Sequence, residues 1–491
     1  MKPGVKHFVM AVACGSGAMG GASAWGEAKP VFKPLSIGAL EEFGSLRSGR
    51  YGNNPAFRDD WTDHFGAFVT QSVAMNAHID FDIGLGGLFE YQKKEVVQAG
   101  WGGTQYKNFF LGPTVADFVY RSAPQGQSGI SLQVGLFPYR YNPDAANLGE
   151  YLFRSGPYPT YLLNGTYAMV NSTSTYLQGL KTSFTAGNFS ADVLLATETS
   201  LPALYDWSLG AVLKYQALDG LLDFGAGAYA KHLIPVQPSR TSPHIPANAY
   251  FEKGGKVWTG YVPYYQEHAT FYNRIGDSAT AAVWQGYADS VGAWISADAP
   301  ASPSYNYYTQ AGLLVMGRFS LDLKKAMPSA AGLFGAQDLK LYSEACLMGV
   351  RNYPLFYEKR FDRLPIMAGF NFPGFKLLDL ISLQVEYFHS PWLNSYRQIV
   401  GENTAIPTIP QGGDAKFSQT AFNDISAHDN LAWSVLVKKR LSHGLWLSGQ
   451  CARDHTRLVS VDTWAGPGVE PTEVLSSGKD WYWMAQLSAG I

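Results

Sequence analysis

Two aspartates two residues apart, Asp80 and Asp82, are the first residues with a spacing that suits chemistry. On a strand they share one face, where they could act as an acid/base pair or hold a cation. The plainer reading is a hydrated polar lining. His232, His244 and His268 have no ligand spacing and read as exposed loop histidines. HExxH, GxSxG, P-loop and CxxC motifs are all absent, so no nucleophile with its base can be read and none of these enzyme classes is indicated. No cofactor, metal or catalytic residue is assigned, and the chain reads as a non-enzyme. Among its three cysteines, Cys346 and Cys451 lie far apart, and a disulfide scaffold is not expected in so long a chain.

What remains is a set of charges that recur on one face of alternating segments: Asp80, Asp82, Glu90, Lys214, Asp223, Arg318, Asp322, Lys324, Glu344, Glu386, Lys438 and Arg440. Residues 77–92 show why. Ile79, Phe81, Ile83, Leu85 and Phe89 occupy one parity; His78, Asp80, Asp82, Glu90 and Gln92 occupy the other. Such a period of two is the mark of a strand with one greasy and one wet face. It returns at Ile130–Leu136, Phe189–Leu195, Trp207–Tyr215, Leu222–Ala228, Leu313–Leu323, Ile381–Tyr387 and Leu431–Val437.

Composition sharpens the choice of class. Charged residues make up 15% and aromatics 14%, and 52 of 491 residues are glycine. Soluble chains average about 25% charged and about 7% glycine. Mean hydropathy is −0.10, and no apolar run approaches the roughly 20 residues of a membrane helix. Low charge with neutral hydropathy fits a transmembrane barrel, whose lipid-facing and lumen-facing residues cancel in any average. A formal net charge of −2 gives no reason to expect nucleic-acid binding.

Residues 1–24 have the layout of a cleaved signal peptide: Lys2 and Lys6, a short apolar stretch, then Ala22-Ser23-Ala24. A lipoprotein cysteine at Cys14 is the lesser alternative. Residues 25–62 alternate weakly and are expected to be a periplasmic lead-in or plug, with the barrel over 63–491. Short connections such as Gly187-Asn188 and Asp219-Gly220 read as hairpin turns. Long ones at about 138–172, 235–304 and 391–427 read as outer loops, the middle one holding a short helix over Asp277–Ile295. Hairpin spacing gives about 16 strands, with 14 and 18 as alternatives, because single-chain bacterial barrels have even numbers.

The last residues, Trp481 to Ile491, put Trp481, Trp483, Ala485, Leu487, Ala489 and Ile491 on one face. This segment resembles the closing strand of bacterial outer-membrane proteins, though that family usually ends in Phe or Trp. The resemblance implies an all-β transmembrane antiparallel barrel in the cell outer membrane of a Gram-negative bacterium. It implies outer-membrane lipid and the barrel-assembly machinery as partners, with a homo-oligomer as an option. A second stretch, Gly135 to Asp144 and then Leu148 to Gly156, resembles the strand-and-loop region of substrate-selective porins. There a loop folds inward and narrows the pore. That resemblance makes Arg140, Asp144, Glu150 and Arg154 constriction candidates and implies passive diffusion of small polar solutes. An adhesion or polysaccharide-contact barrel, using Trp258, Tyr261, Tyr264 and Tyr265, is the alternative function.

Overall fold

A computed structural model describes residues 30–51, 54–92, 106–123, 128–153, 175–197, 206–235, 258–298, 312–329, 331–347, 349–350, 360–388, 431–454, 457–460, 468–473, 475 and 478–490. Sixteen antiparallel strands close on themselves. In chain order they are β1 (Ser36–Tyr51), β2 (Asn54–Asn76), β3 (Ile79–Gln92), β4 (Tyr106–Arg121), β5 (Gly129–Tyr139), β6 (Thr175–Ala186), β7 (Phe189–Thr197) and β8 (Asp206–Ala217). There follow β9 (Leu222–Pro235), β10 (Gly312–Asp322), β11 (Lys340–Leu347), β12 (Ile366–Asn371), β13 (Leu380–Tyr387), β14 (Leu431–Ser442), β15 (Leu445–Arg453) and β16 (Trp481–Gly490). Each pairs with its sequence neighbour, and β16 pairs with β1 from Trp481↔Ser48 to Gly490↔Gly38. Closure leaves this sheet without an open edge, the arrangement that satisfies every backbone group in hydrocarbon.

The alternation resolves into two faces. Phe81, Ile83, Leu85, Val193, Leu213, Phe224, Val315 and Leu487 are exposed on the outside, while the residues of opposite parity on each strand point inward. A charged side chain on that outer belt would cost about 2–4 kcal/mol at mid-bilayer for Arg or Lys. The belt explains the chain's near-neutral hydropathy. No described helix is long and apolar enough to cross a membrane. Across the closing seam, Phe43 of β1 stacks on Trp61 of β2 at 4.9 Å, and Trp483 of β16 meets both rings edge-on at 5.9 and 5.7 Å. These contacts fasten the last strand to the first two.

The expected lead-in at 25–62 is corrected by the pairings: residues 36–51 and 54–62 are wall. Their alternation is blurred because Leu40 and Leu46 face inward, Leu46 fully buried, whereas Glu41 shares the outward parity of Phe43. Residues 1–29, and with them the signal-peptide assignment, lie outside the described residues. A short pairing of Val31–Phe32 with β2 precedes β1.

Turns of two residues at 77–78, 187–188 and 443–444 join strands at one end of the barrel, where the first and last strands also begin and finish. At the opposite end lie the long connections. Gly187 and Gly444 adopt left-handed φ of 55° and 76° in their turns, the geometry that tight hairpins demand. The longest connection carries two helices rather than one, α1 (Trp258–Arg274) and α2 (Ser278–Asp298). They pack as a hairpin through Tyr265, Trp284 and Tyr287.

Candidate functional site

The chain leaves β5 at Tyr139 and turns into the barrel. Residues 140–153 cross the lumen and end against the inner faces of β8–β13, with a further contact beyond β15. Tyr141, Leu148, Tyr151 and Leu152 are all at most 1% exposed. They join inward residues of the wall, among them Phe137, Leu194, Tyr229, Met316, Tyr342 and Met367, in one apolar cluster. The inner face is therefore not wet throughout: where the loop lands it becomes a core.

Polar anchors fix where it lands. Glu344 of β11 takes four donors: Tyr141 Oη at 2.5 Å, Asn142 Nδ2 at 2.6 Å, and the backbone amides of Glu150 at 3.0 Å and Tyr151 at 2.9 Å. Burial and the Glu344 carboxylate hold the Tyr141 phenol protonated well above its ordinary range. Gln384 of β13 accepts the amides of Asn147 and Leu148 at 2.8 and 3.0 Å. Glu386 accepts Tyr151 Oη at 2.6 Å. Asp454, just past β15, accepts Asn147 Nδ2 at 2.8 Å and Tyr482 Oη at 2.7 Å. An irregular segment inside a barrel must have its amides satisfied, and these wall side chains do it.

The loop also holds itself. Arg140 donates to the carbonyls of Asn142, Pro143 and Ala145, and Glu150 accepts the Asn142 amide. Asp144 meets Lys340 of β11 at 3.2 Å. Phe153 sits edge-on to Tyr139 at 5.2 Å and 4.7 Å from the Tyr229 ring. Gly210 and Gly227 make room for it: a Cβ at Gly210 would lie 3.0 Å from Phe153, and one at Gly227 2.9 Å from Leu152.

Away from the loop, towards the short-turn end, the inner wall is charged and mostly paired. Asp80 meets Arg121 at 2.5 Å and Lys33 at 3.4 Å. Asp117 accepts Gln133 at 2.7 Å and lies directly across the β3–β4 pair from Asp82. Asp192 takes the Tyr139 hydroxyl at 2.8 Å and Lys214 at 3.7 Å. Lys181 stands over the Phe137 and Tyr139 rings at 5.5 and 5.7 Å, a cation–π arrangement. Asp223 pairs with Arg318 at 2.8 Å.

The sequence-derived candidates thus divide into groups. Asp80, Asp82, Lys214, Asp223, Arg318 and Asp322 occupy the inner wall. Glu344 and Glu386 also point inward, but each is 1% exposed and anchors the loop, so neither faces open lumen. Lys324 lies past the end of β10, bonded to Asp322 and to the carbonyls of Ala336 and Asp338. Lys438 faces inward near Arg140, and Arg440 sits at the short-turn rim over Trp446 at 5.6 Å. Arg140, Asp144 and Glu150 are in the inward loop; Arg154 and the Glu90 side chain lie outside the described residues. Sequence reasoning missed Asn147, Gln384 and Asp454, whose uncharged or isolated side chains carry no pattern. His268 is not exposed: it is buried in α1 against Trp284, with ring centres 4.5 Å apart. Tyr265, offered as a surface contact, is fully buried beside it. No group of three or more metal-ligating side chains occurs among the described residues.

No family profile matches the chain, and no curated protein matches it by sequence. Solved structures similar in fold include Pseudomonas putida OprB at high pH, with 10% identity over 94% of each chain and a TM-score of 0.44. An A116K-bearing mutant of the Rh. blastica porin has 5% identity over 94% of this chain and all of that one, with a TM-score of 0.39. Salmonella typhi OmpF in complex with daunomycin has 8% identity over 94% and 97%, with a TM-score of 0.38.

Proposed function

We propose that this protein is a porin-like channel of the outer membrane through which small polar solutes diffuse passively. One observation carries the reading: a loop enters the lumen of a closed barrel and is bonded to the inner wall by buried side chains. A surface barrel that only adheres has no use for such a loop. A diffusion channel does, because the loop narrows the lumen and brings solutes close to the wall charges. The charged wall supports the same reading. On the short-turn side, β3 and β4 contribute Asp80, Asp82 and Asp117, with Arg121 and Lys33 paired to Asp80, and half the circumference away Arg140 and Lys340 flank Asp144, with Lys438 near Arg140. Charges of both signs along the lumen would orient a dipolar solute in transit.

Export through the amino-terminal signal and insertion guided by the closing strand complete the proposal. It involves no enzymatic step. Planar-bilayer recording of the purified full chain tests it. Discrete conductance steps in KCl support the channel; a barrel that shifts on a heat-modifiability gel yet gives no steps contradicts it.

A further inference from the structure

Two connections at the short-turn end depart from the economy of the others. Residues 323–339 join β10 to β11, and residues 372–379 join β12 to β13. Both expose apolar side chains instead of burying them: Leu333 is 65% exposed, Phe375 56% and Leu377 77%. Phe334 and Phe375 bring the two connections together, ring centres 5.8 Å apart.

The backbone is held in conformations that ordinary side chains avoid. Leu339, Phe375 and Lys376 have φ of 57°, 47° and 63°. For bulky residues the left-handed region is costly and persists only where the surroundings impose it. Here the imposing group is Asp338, fully buried, whose carboxylate accepts the amides of Gly335 at 2.8 Å and Phe375 at 3.2 Å. One carboxylate therefore ties the two connections into a single spur. Strain maintained to keep a phenyl ring and two leucines exposed points to a surface they are meant to meet.

The charges beside them indicate which surface. Lys325 donates to the Asp219 carbonyl at 2.6 Å, Lys439 to the Lys376 carbonyl at 3.4 Å, and Lys376 to the Gly332 carbonyl. All three described contacts are to neutral carbonyls, so the spur carries ammonium charge that they do not neutralise. Immediately above it, Phe372 continues the outward face of β12 through its edge-on contact with Phe370 at 4.9 Å. The spur is thus continuous with the lipid-facing belt.

We infer that this spur is a membrane-interface anchor: its leucines and phenyl ring enter the bilayer at the short-turn leaflet, and its three lysines hold anionic phospholipid headgroups. Long basic side chains beside apolar ones suit this interface, with their stems in the apolar layer and their charge among phosphates. The inference rests on the membrane-spanning reading of the barrel, and its test separates the two.

The full chain, with Cys14→Ser, Cys346→Ala and Cys451→Ser, is placed in vesicles of phosphatidylethanolamine and phosphatidylglycerol. A nitroxide is attached at Leu377→Cys or, on the belt, at Val315→Cys. Both labels should be accessible to oxygen and shielded from a water-soluble nickel chelate. A shielded belt label with a nickel-accessible label at 377 overturns the anchor and leaves the barrel standing. A nickel-accessible belt label overturns both. Spin–spin broadening at 377 assigns the spur to a second copy of the chain and also overturns the anchor. Lipid retained through purification tests the lysines. Replacing Lys325, Lys376 and Lys439 by Gln should lower the retained ratio of phosphatidylglycerol to phosphatidylethanolamine roughly tenfold; an unchanged ratio overturns the headgroup assignment.

Discussion

Glu344 and Asp192 are both inward carboxylates on barrel strands, yet their surroundings differ. Glu344 on β11 is 1% exposed and takes four hydrogen bonds from a loop that begins six strands away. Asp192 on β7 keeps a side chain 14% exposed and takes one tyrosine and one lysine from its own wall. The first lies in the sector the loop fills, the second in the sector left charged. A polar residue on the inner face of a barrel is committed to structure or to solute according to whether a loop covers it, and strand parity alone does not decide between the two.

The largest expected effect separates these carboxylates. Glu344→Ala leaves four donors without their acceptor, a loss on the order of 4 kcal/mol in the stability of the docked loop. Hydrogen exchange at residues 141–153 should accelerate by orders of magnitude while the strand amides stay protected and the folded barrel still shifts on heating. A loop that stays protected in this variant would erase the distinction.

Next comes the apolar half of the same sector. Phe153→Ala removes the ring packed against Tyr139 and Tyr229 and should cost about 3 kcal/mol. The check is the urea dependence of loop exposure, read by limited proteolysis of the inserted protein. Asp192→Ala belongs to the other sector and should cost about 2 kcal/mol, because Lys214 keeps contact with water while the buried Tyr139 hydroxyl loses its acceptor. Its readout is the zero-current potential in a KCl gradient, which should move as Lys214 loses its counter-charge. Loop exchange should not change.

The smallest effect lies outside the wall, at a carboxylate open to solvent. Asp277 caps α2, accepting the Thr280 amide at 3.0 Å and its hydroxyl at 2.7 Å. These bonds hold its carboxyl below the usual aspartate range. A depressed folded value means that the cap's contribution is present above the unfolded pKa, about 3.9, and is lost as the pH falls through the folded one. Exchange in the first turn of α2 should therefore rise on acidification in the wild type, and the Asp277→Ala variant should show that raised level at neutral pH.

Much of the wall was legible in the sequence because lipid enforces a strict period of two. Residues 79–87, 222–228 and 313–321 were read with the parity the barrel shows. β1 was not legible, since Leu40 and Leu46 turn inward and Glu41 outward, which breaks the pattern locally. Glu344 and Glu386 were placed on the correct face but given the wrong surroundings. Burial by a loop some 200 residues distant leaves no mark on the strand it covers. Asn147 and Gln384 were invisible for a related reason, as amides are common in any polar stretch. The inward loop itself was marked by its Tyr- and Arg-rich composition, which differs from that of a solvated Ser/Gly connection.

The placement of that loop inside the barrel is tested most directly by a cross-link. Asn147→Cys and Asp454→Cys are introduced together, with Cys14→Ser, Cys346→Ala and Cys451→Ser, in the membrane-inserted full chain. A short bifunctional thiol reagent is predicted to bridge the two within one chain, because the Asn147 and Asp454 side chains point at each other and meet at 2.8 Å. Two unbridged thiols after treatment, in a protein that still behaves as a folded barrel on heating, would contradict it.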